Sequence, residues 1–356
     1  MPYFPIIFFR IPYFKRKFSF LEVTAESNEH THGCIEISPK FLTFPVNELR
    51  KRNCYLAAKS SKKALRQNTF NFDLIHAHFL HNGFIGAELK SLHNKPLIVT
   101  AHGSDVYDMP FRDDWHRNIA RYVLTAADKV ITVSKFNAER LLSLGLSSKK
   151  LHVIPNGYDS QLFRPFSTLY MRKKMGLPLN RKILLSVGNL FAVKGHTYLI
   201  DAMKIVLKKR SDITLIIVGS GPLEEKLKKR VLELGLLGNV LLVGRKMHDE
   251  IPMWLNASDI LVLPSISEGF PTVIPEAMAC GKPVIGTKVG GIPEAITNDD
   301  LGILVNPRDP AAIAAAIIDA LERDWQHEYI IEHANFYSWS NLAKQLLTVY
   351  ENALLS

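Results

Sequence analysis

From residue 72 onward, short β-branched apolar runs alternate with stretches whose apolar residues recur every three to four positions. A run of four to six such residues suits one buried strand, and the longer recurring pattern marks one face of a helix. Strands are predicted over 73–77, 97–101, 129–133 and 151–154, with helices over 84–92, 115–126 and 136–144 between them. After a break the alternation resumes, with strands over 183–187, 213–218, 240–243, 260–263, 283–286 and 302–305. Helices fall over 196–208, 223–234, 249–255, 272–279 and 310–323. Such alternation predicts an α/β chain built on parallel sheets.

The break, Pro155-Asn156-Gly157 through Arg164-Pro165, interrupts both periods with proline and glycine and reads as a linker. It sets the expected domains at 1–163 and 164–336, followed by a final helix over 337–356. Each domain reads as a doubly wound sheet, a fold that binds ligands at the carboxyl ends of its strands. Two such sheets facing across a cleft would hold one ligand between them. The first 70 residues stand apart, with at most one short strand, in Lys40-Phe41-Leu42-Thr43-Phe44-Pro45.

Composition agrees with two globular domains: 356 residues, 47% hydrophobic and 22% charged. The three cysteines, Cys34, Cys54 and Cys280, are odd in number and lack metal-ligand spacing, which points to a reducing cytoplasm. Cys280 is read as a small buried apolar residue. The apolar start is broken by Pro2, Pro5 and Pro12 and has no basic leader. No run approaches the roughly 20 apolar residues of a spanning helix. The expected location is the cytoplasm.

Net charge is +10 and unevenly placed. Residues 1–163 carry 22 Lys+Arg against 14 Asp+Glu, a balance of +8, and the remainder carries 22 against 20, a balance of +2. Between Leu49 and Phe72 stand Arg50, Lys51, Arg52, Lys59, Lys62, Lys63 and Arg66 without one acid. With Leu49, Tyr55, Leu56 and Leu65 beneath them, these residues fit a helix lying on an anionic membrane, peripheral at its inner face. They fit a solvated helix face equally well. A nucleic-acid partner is not expected, because no recognised binding motif accompanies the charge.

The chemistry concentrates in Ser267-Glu268-Gly269-Phe270-Pro271-Thr272-Val273-Ile274-Pro275-Glu276, directly after the apolar run at 260–263. A carboxylate repels phosphate but accepts hydrogen bonds from sugar hydroxyls. Glu268 and Glu276, flanking a helix start, therefore suit a ligand with a sugar at each end and phosphate between, a nucleotide-sugar. Pro271 and Thr272 open the helix, with Thr272 the expected N-cap, and the free amides and dipole there favour an anion.

Three other strand-end turns attract notice. In Gly188-Asn189-Leu190-Phe191-Ala192-Val193-Lys194-Gly195-His196, two glycines bend the chain so that Lys194 can reach a diphosphate. Val218-Gly219-Ser220-Gly221-Pro222 resembles a dinucleotide fingerprint, but Glu224 replaces its third glycine and no acidic ribose reader follows, which argues against a dehydrogenase. In Thr100-Ala101-His102-Gly103-Ser104-Asp105, His102 can hydrogen-bond a sugar hydroxyl or sit near a reacting centre. His76, His78, His81 and His93 are read as structural, and no metal site is expected among them.

Taken together, these residues resemble the retaining glycosyltransferases of family 4, which have the GT-B fold. The resemblance runs from about Phe72 to the end and centres on the family's E-x7-E pattern, Glu268 to Glu276. Ile154-Pro155-Asn156-Gly157-Tyr158-Asp159, Pro283-Val284-Ile285-Gly286-Thr287 and Gly290-Gly291-Ile292-Pro293-Glu294 match as well. The resemblance implies that Glu276 holds the nucleotide ribose and Glu268 the donor-sugar hydroxyls. It places Gly188, Gly219, Gly269, Phe270, Pro271 and Thr272 around the sugar and diphosphate, Arg245 at the base pocket and His102 near the donor sugar. Lys194 matches the lysine that neutralises the leaving diphosphate, and Asn189 stands where the family usually has arginine. The end of the chain resembles a helix that crosses back onto the first domain.

By the same resemblance, the chain is expected to be a metal-independent, cofactor-free hexosyltransferase that retains anomeric configuration. Its partners would be a nucleotide-diphosphate-sugar and a glycan or lipid-linked acceptor, in cell-surface polysaccharide or glycolipid synthesis. An inactive donor-binding partner subunit and a nucleotide-sugar 2-epimerase are the alternatives. One departure stands out. The family normally begins with a strand, a glycine-rich loop, a helix and a second strand, and this chain is expected to lack that unit, so that either a longer natural protein was cut or mis-started or this version is unstable or weakly active.

Overall fold

The computed structural model describes residues 53–67 and 72–355. The predicted strand at 40–45, the region of the expected amino-terminal departure, Cys34 and Arg50 to Arg52 lie outside the described residues. The chain forms two compact units, one of Met1–Ile154 with Gln345–Ser356, the other of Pro155–Lys344.

In the first unit, β1 (Ile75–His78), β2 (Leu97–Ala101), β3 (Lys129–Thr132) and β4 (Leu151–Val153) pair in chain order, all parallel, among the described residues. Side chains alternate between the sheet's faces. Ile75, Ala77, Leu97, Val99, Ala101 and Val130 enter a core shared with helices Asn53–Gln67, Leu80–His93 and Asp114–Ala126. On the opposite face, Ile98 and Ile131 pack against Val349, Tyr350 and Ala353 of the last helix, Trp339–Leu354. Local chemistry sets the helix starts: Asp113 caps one by accepting from His116 N at 2.9 Å, and Ser134 caps another by accepting from Asn137 N at 3.2 Å.

The described part of the basic stretch forms the helix Asn53–Gln67. Its apolar side is occupied: Ala57, Ala58 and Leu65 are buried in the core and Tyr55 packs edge-on to Phe84. Lys62 pairs with Glu88, while Lys59, Lys63 and Arg66 are exposed. Leu65 therefore cannot serve as a membrane-inserting stripe, because the protein's own core already buries it.

The second unit holds six parallel strands, β5 (Lys182–Val187), β6 (Ile213–Val218), β7 (Val240–Leu242), β8 (Ile260–Leu263), β9 (Val284–Thr287) and β10 (Gly302–Val305). Their order is β10-β9-β8-β5-β6-β7. One core face packs Leu184, Leu215, Ile217 and Val262 against the helices His196–Val206, Glu224–Glu233 and Pro310–Glu322. Ile183, Leu185, Ile216 and Leu261, equally buried, belong to the other face. Strand order reverses between the neighbours β5 and β8, and such a switch point opens a crevice at the carboxyl ends of the strands.

The stretch read as a linker is part of this unit, and the boundary lies at Ile154 and Pro155 rather than at 163 and 164. Tyr158 and Phe163 are 3% and 1% exposed, so apolar burial overrides the proline–glycine punctuation there. Cys280 is a buried free thiol. Among the described residues no helix is long and apolar enough to cross a membrane.

Candidate active site

The loop after β5 and the loop after β8 meet at the switch point. Backbone joins them first: Ile266 N donates to Val193 O at 2.7 Å. Gly195 makes the approach possible, since its φ of 68° is left-handed and a β-carbon there would lie 1.9 Å from Pro264 O. Charge joins them next. Lys194 Nζ donates to Glu268 Oε1 at 2.6 Å, and Ser265 Oγ donates to the same oxygen at 2.7 Å. Thr287 in turn donates its hydroxyl to Ser265 O at 2.6 Å. Both bonds to Glu268 fall on Oε1, which leaves Oε2 to accept from a ligand.

A third loop, after β9, supports Glu268 from behind. Gly291 N donates to Gly269 O at 2.8 Å. Gly290, at φ 53°, comes so close that a β-carbon would lie 1.9 Å from Glu268 O. A fourth support arrives from the distant Pro155-Asn156-Gly157 motif, where Asn156 Nδ2 donates to Phe270 O at 3.1 Å. Phe270 is buried with its ring 5.4 Å from that of Tyr337, and Pro271 is buried beside it. Ser265, Asn156, Thr287 and Gly290 are positioning residues that sequence reasoning did not assign. The matching motifs around residues 156, 287 and 290 were the signal that pointed to them.

Glu276 lies in the helix Val273–Ala279 and is 6% exposed. Burial pushes its carboxyl up to about 7, since the charged form loses water there. Thr272 occupies the N-cap position, but its side chain makes no capping bond, so it is not the cap that the sequence suggests. Its backbone is already helical, with φ −59° and ψ −29°, whereas a capping side chain goes with an extended backbone.

The remaining expected residues lie on neighbouring strand ends. Gly188 N donates to Val218 O at 3.0 Å and Gly219 N to Gly244 O at 2.9 Å, which brings the β5, β6 and β7 ends together. Asn189 and Arg245 are exposed on the first and last of these loops. Sequence reasoning passed over His196, which is buried beneath the turn, 3.8 Å from where a Gly188 β-carbon would sit. Burial first, and then the Lys194 charge, hold its imidazole down at about 4.

The expected site residue of the first unit, His102, lies just after β2, in contact with a second histidine. His78 Nδ1 and His102 Nε2 are 2.9 Å apart, and burial holds both rings down at about 4. His78, taken from sequence as structural only, is thus a direct neighbour of a candidate site residue. Among the described residues no group of three His, Cys, Asp or Glu is arranged to hold a metal ion.

Residues 169–335 match the glycosyl transferases group 1 family, and residues 23–162 match glycosyltransferase family 4. The chain is 32% identical over 331 residues to an uncharacterised glycosyltransferase of Methanocaldococcus jannaschii, spanning 89% of this chain and 82% of that protein. The chain belongs to the family 4 glycosyltransferases.

Solved structures agree on the fold of this glycosyltransferase. Sucrose-phosphate synthase of Thermosynechococcus elongatus superposes with a TM-score of 0.77 at 26% identity, over 91% of this chain and 84% of that one. HepE of Anabaena, solved in complex with UDP, gives 0.73 at 24% identity, over 84% and 82%. The glycosyltransferase therefore has the GT-B fold, with two parallel-sheet α/β domains.

Proposed function

We propose that this glycosyltransferase binds a nucleotide-diphosphate-sugar at the β5–β8 switch point of its second unit and transfers a hexose with retention. The observation that carries the proposal is the Lys194–Glu268 pair, 2.6 Å apart at adjoining strand ends. A diphosphate entering there would draw Lys194 to itself as a counter-charge and release Glu268 to accept sugar hydroxyls. Gly269, Phe270, Pro271 and Thr272 line the same loop, and Gly188, Asn189, Gly219 and Arg245 lie along the neighbouring strand ends. Glu276, a carboxylate short of water, would regain hydrogen bonds from the two ribose hydroxyls.

In the reaction, the bond from the anomeric carbon to the diphosphate oxygen breaks while an acceptor hydroxyl oxygen bonds to the same face. The acceptor's proton passes to the leaving diphosphate. Lys194 stabilises the charge that develops on that leaving group, without a metal ion, which makes electrostatics the main catalytic term. His102 in the first unit is assigned a hydrogen bond to a sugar hydroxyl.

The acceptor is a glycan or a lipid-linked sugar of a cell-surface polymer or glycolipid, and the enzyme works at the cytoplasmic face of the membrane. Lys59, Lys63 and Arg66 support that location by charge alone, because the apolar side of their helix is buried. UDP-sugars are the first donors to examine, since the related HepE fold was solved with UDP. Thermal shift across nucleotide-sugars, then NMR of the anomeric proton of the product, tests the proposal. Stabilisation by a donor and a product of unchanged anomeric configuration are expected. An inverted product, or no response to any nucleotide-sugar, would refute it.

A further inference from the structure

The ends of β1 and β2 are tied together more tightly than a lone histidine needs. Asp105, 3% exposed, accepts from Leu80 N at 3.0 Å, His102 N at 3.0 Å and Gly103 N at 2.8 Å. It thereby pins the turn after β1 to the turn after β2, and a bond from Phe79 N to Thr100 O at 2.7 Å adds to the tie. Within this frame His78 Nδ1 faces His102 Nε2 at 2.9 Å.

His78 is itself held. It stands two residues from His76 on one face of β1, and their rings stack at 4.5 Å between centroids. His76 has both nitrogens engaged, Nδ1 with the Tyr350 hydroxyl at 2.6 Å and Nε2 with Thr100 Oγ1 at 2.7 Å. The row of stacked rings, His76, His78 and His102, therefore ends at the turn after β2.

We infer that His78 is a positioning residue that selects the tautomer of His102 through the Nδ1–Nε2 hydrogen bond. Two neutral imidazoles in contact must share one proton, so one nitrogen donates and the other accepts. Whichever role His78 Nδ1 takes, Nε2 of His102 takes the opposite one, and Nδ1 of His102 then has a defined character toward a ligand. Burial keeps both rings neutral, so the shared-proton arrangement holds at physiological pH. The inference rests on the reading that His102 hydrogen-bonds a sugar hydroxyl, and its test separates the two.

Long-range nitrogen–proton NMR spectra of the full chain, with histidine labelled by nitrogen-15, report which ring nitrogen carries the proton. Spectra of His102→Gln assign the His102 signals. The wild-type chain should show a single His102 tautomer. His78→Phe, which keeps a stacked ring but removes the hydrogen bond, should give a mixture or the opposite tautomer. In the same variant kcat should fall about tenfold, as for loss of one net hydrogen bond, with donor KM within about twofold. His78→Asn, whose side-chain amide can occupy the Nδ1 position, should recover most of kcat. A mixed His102 tautomer in the wild type overturns the inference, whatever the variants' folding. So does His78→Phe with unchanged His102 signals and unchanged kcat. Full activity in His102→Ala would remove the sugar-contact reading, while the wild-type and His78→Phe spectra would still decide the tautomer question.

Discussion

Lys194 and Glu268 stand 74 positions apart in the chain, yet Nζ and Oε1 are 2.6 Å apart, with side-chain exposures of 25% and 9%. The pair joins the ends of β5 and β8, which run side by side where strand order reverses. Neither charge has to move far to exchange its partner for a ligand. The lysine can pass to an entering phosphate while Ser265 continues to hold the carboxylate.

Lys194→Ala should therefore act on the chemical step. Loss of a donor aimed at developing oxyanion charge lowers kcat about 10²- to 10³-fold, whereas donor KM should change far less. Initial-rate kinetics with a saturating acceptor measures both. A large rise in KM with unchanged kcat would move Lys194 from catalysis to ground-state binding.

Glu276 sets a pH dependence. Its folded-state pKa, about 7, lies above the ordinary glutamate value of 4.5, so the native state holds more protons than the unfolded chain between those values. The Glu276 contribution to stability must then fall as pH rises through that window and level off above it, while His78, His102 and His196, held down at about 4, contribute the opposite slope up to their ordinary 6.5. Thermal unfolding of the nucleotide-free proteins from pH 5 to pH 8 should show this slope in the difference between wild type and Glu276→Gln, because the histidine contributions are common to both. If Glu276 holds the ribose as proposed, affinity for UDP should move the other way, strengthening as pH rises through about 7, because ribose hydroxyls would donate to the ionised carboxylate. In Glu276→Ala, UDP binding should weaken; unchanged affinity by calorimetry would reject the ribose role.

Gly290→Ala would force a β-carbon into the carbonyl of Glu268 at a left-handed backbone position. Strain of this kind costs about 1–3 kcal/mol, and here its release displaces Glu268, the residue proposed to meet the donor sugar. Denaturant unfolding should show the loss, and donor binding should weaken beyond it. Gly145→Ala is the control: its φ of 98° brings similar strain, but nothing lies within 4 Å. Donor affinity should be unchanged in that variant.

Lys59, Lys63 and Arg66 should support weak binding to anionic vesicles. Each basic residue near such a surface contributes about 1 kcal/mol, and the attraction is screened by salt. Vesicle co-sedimentation should detect binding at low salt, lost when all three are changed to Glu. Binding that survives high salt would mean that something other than these charges holds the protein there.

The strands from β1 to β10 were legible because a strand buried on both faces is largely apolar, and Ile213–Val218 shows this with Thr214 as its one polar residue. Helix His327–Asn335 was not anticipated, since only Ile330 and Ala334 in it are buried and the rest gives little periodic signal. The basic helix was legible as a helix, but its two readings diverge only through what lies beneath it. Leu65 looks the same in sequence whether a core or a membrane covers it.

For the site, local sequence determined the residue types, the turns and the expectation of a sugar–phosphate ligand around Glu268 and Glu276. Tertiary structure alone decided which loops meet. A hydrogen bond acts over about 3 Å, and no one-dimensional spacing reveals that residues 194 and 268, or 156 and 270, come that close. The same holds for His78 and His102, 24 positions apart and joined at 2.9 Å by the register of two parallel strands. Burial gave Glu276 its proton affinity in the same way, because the cost of charging a carboxyl depends on what surrounds it in space.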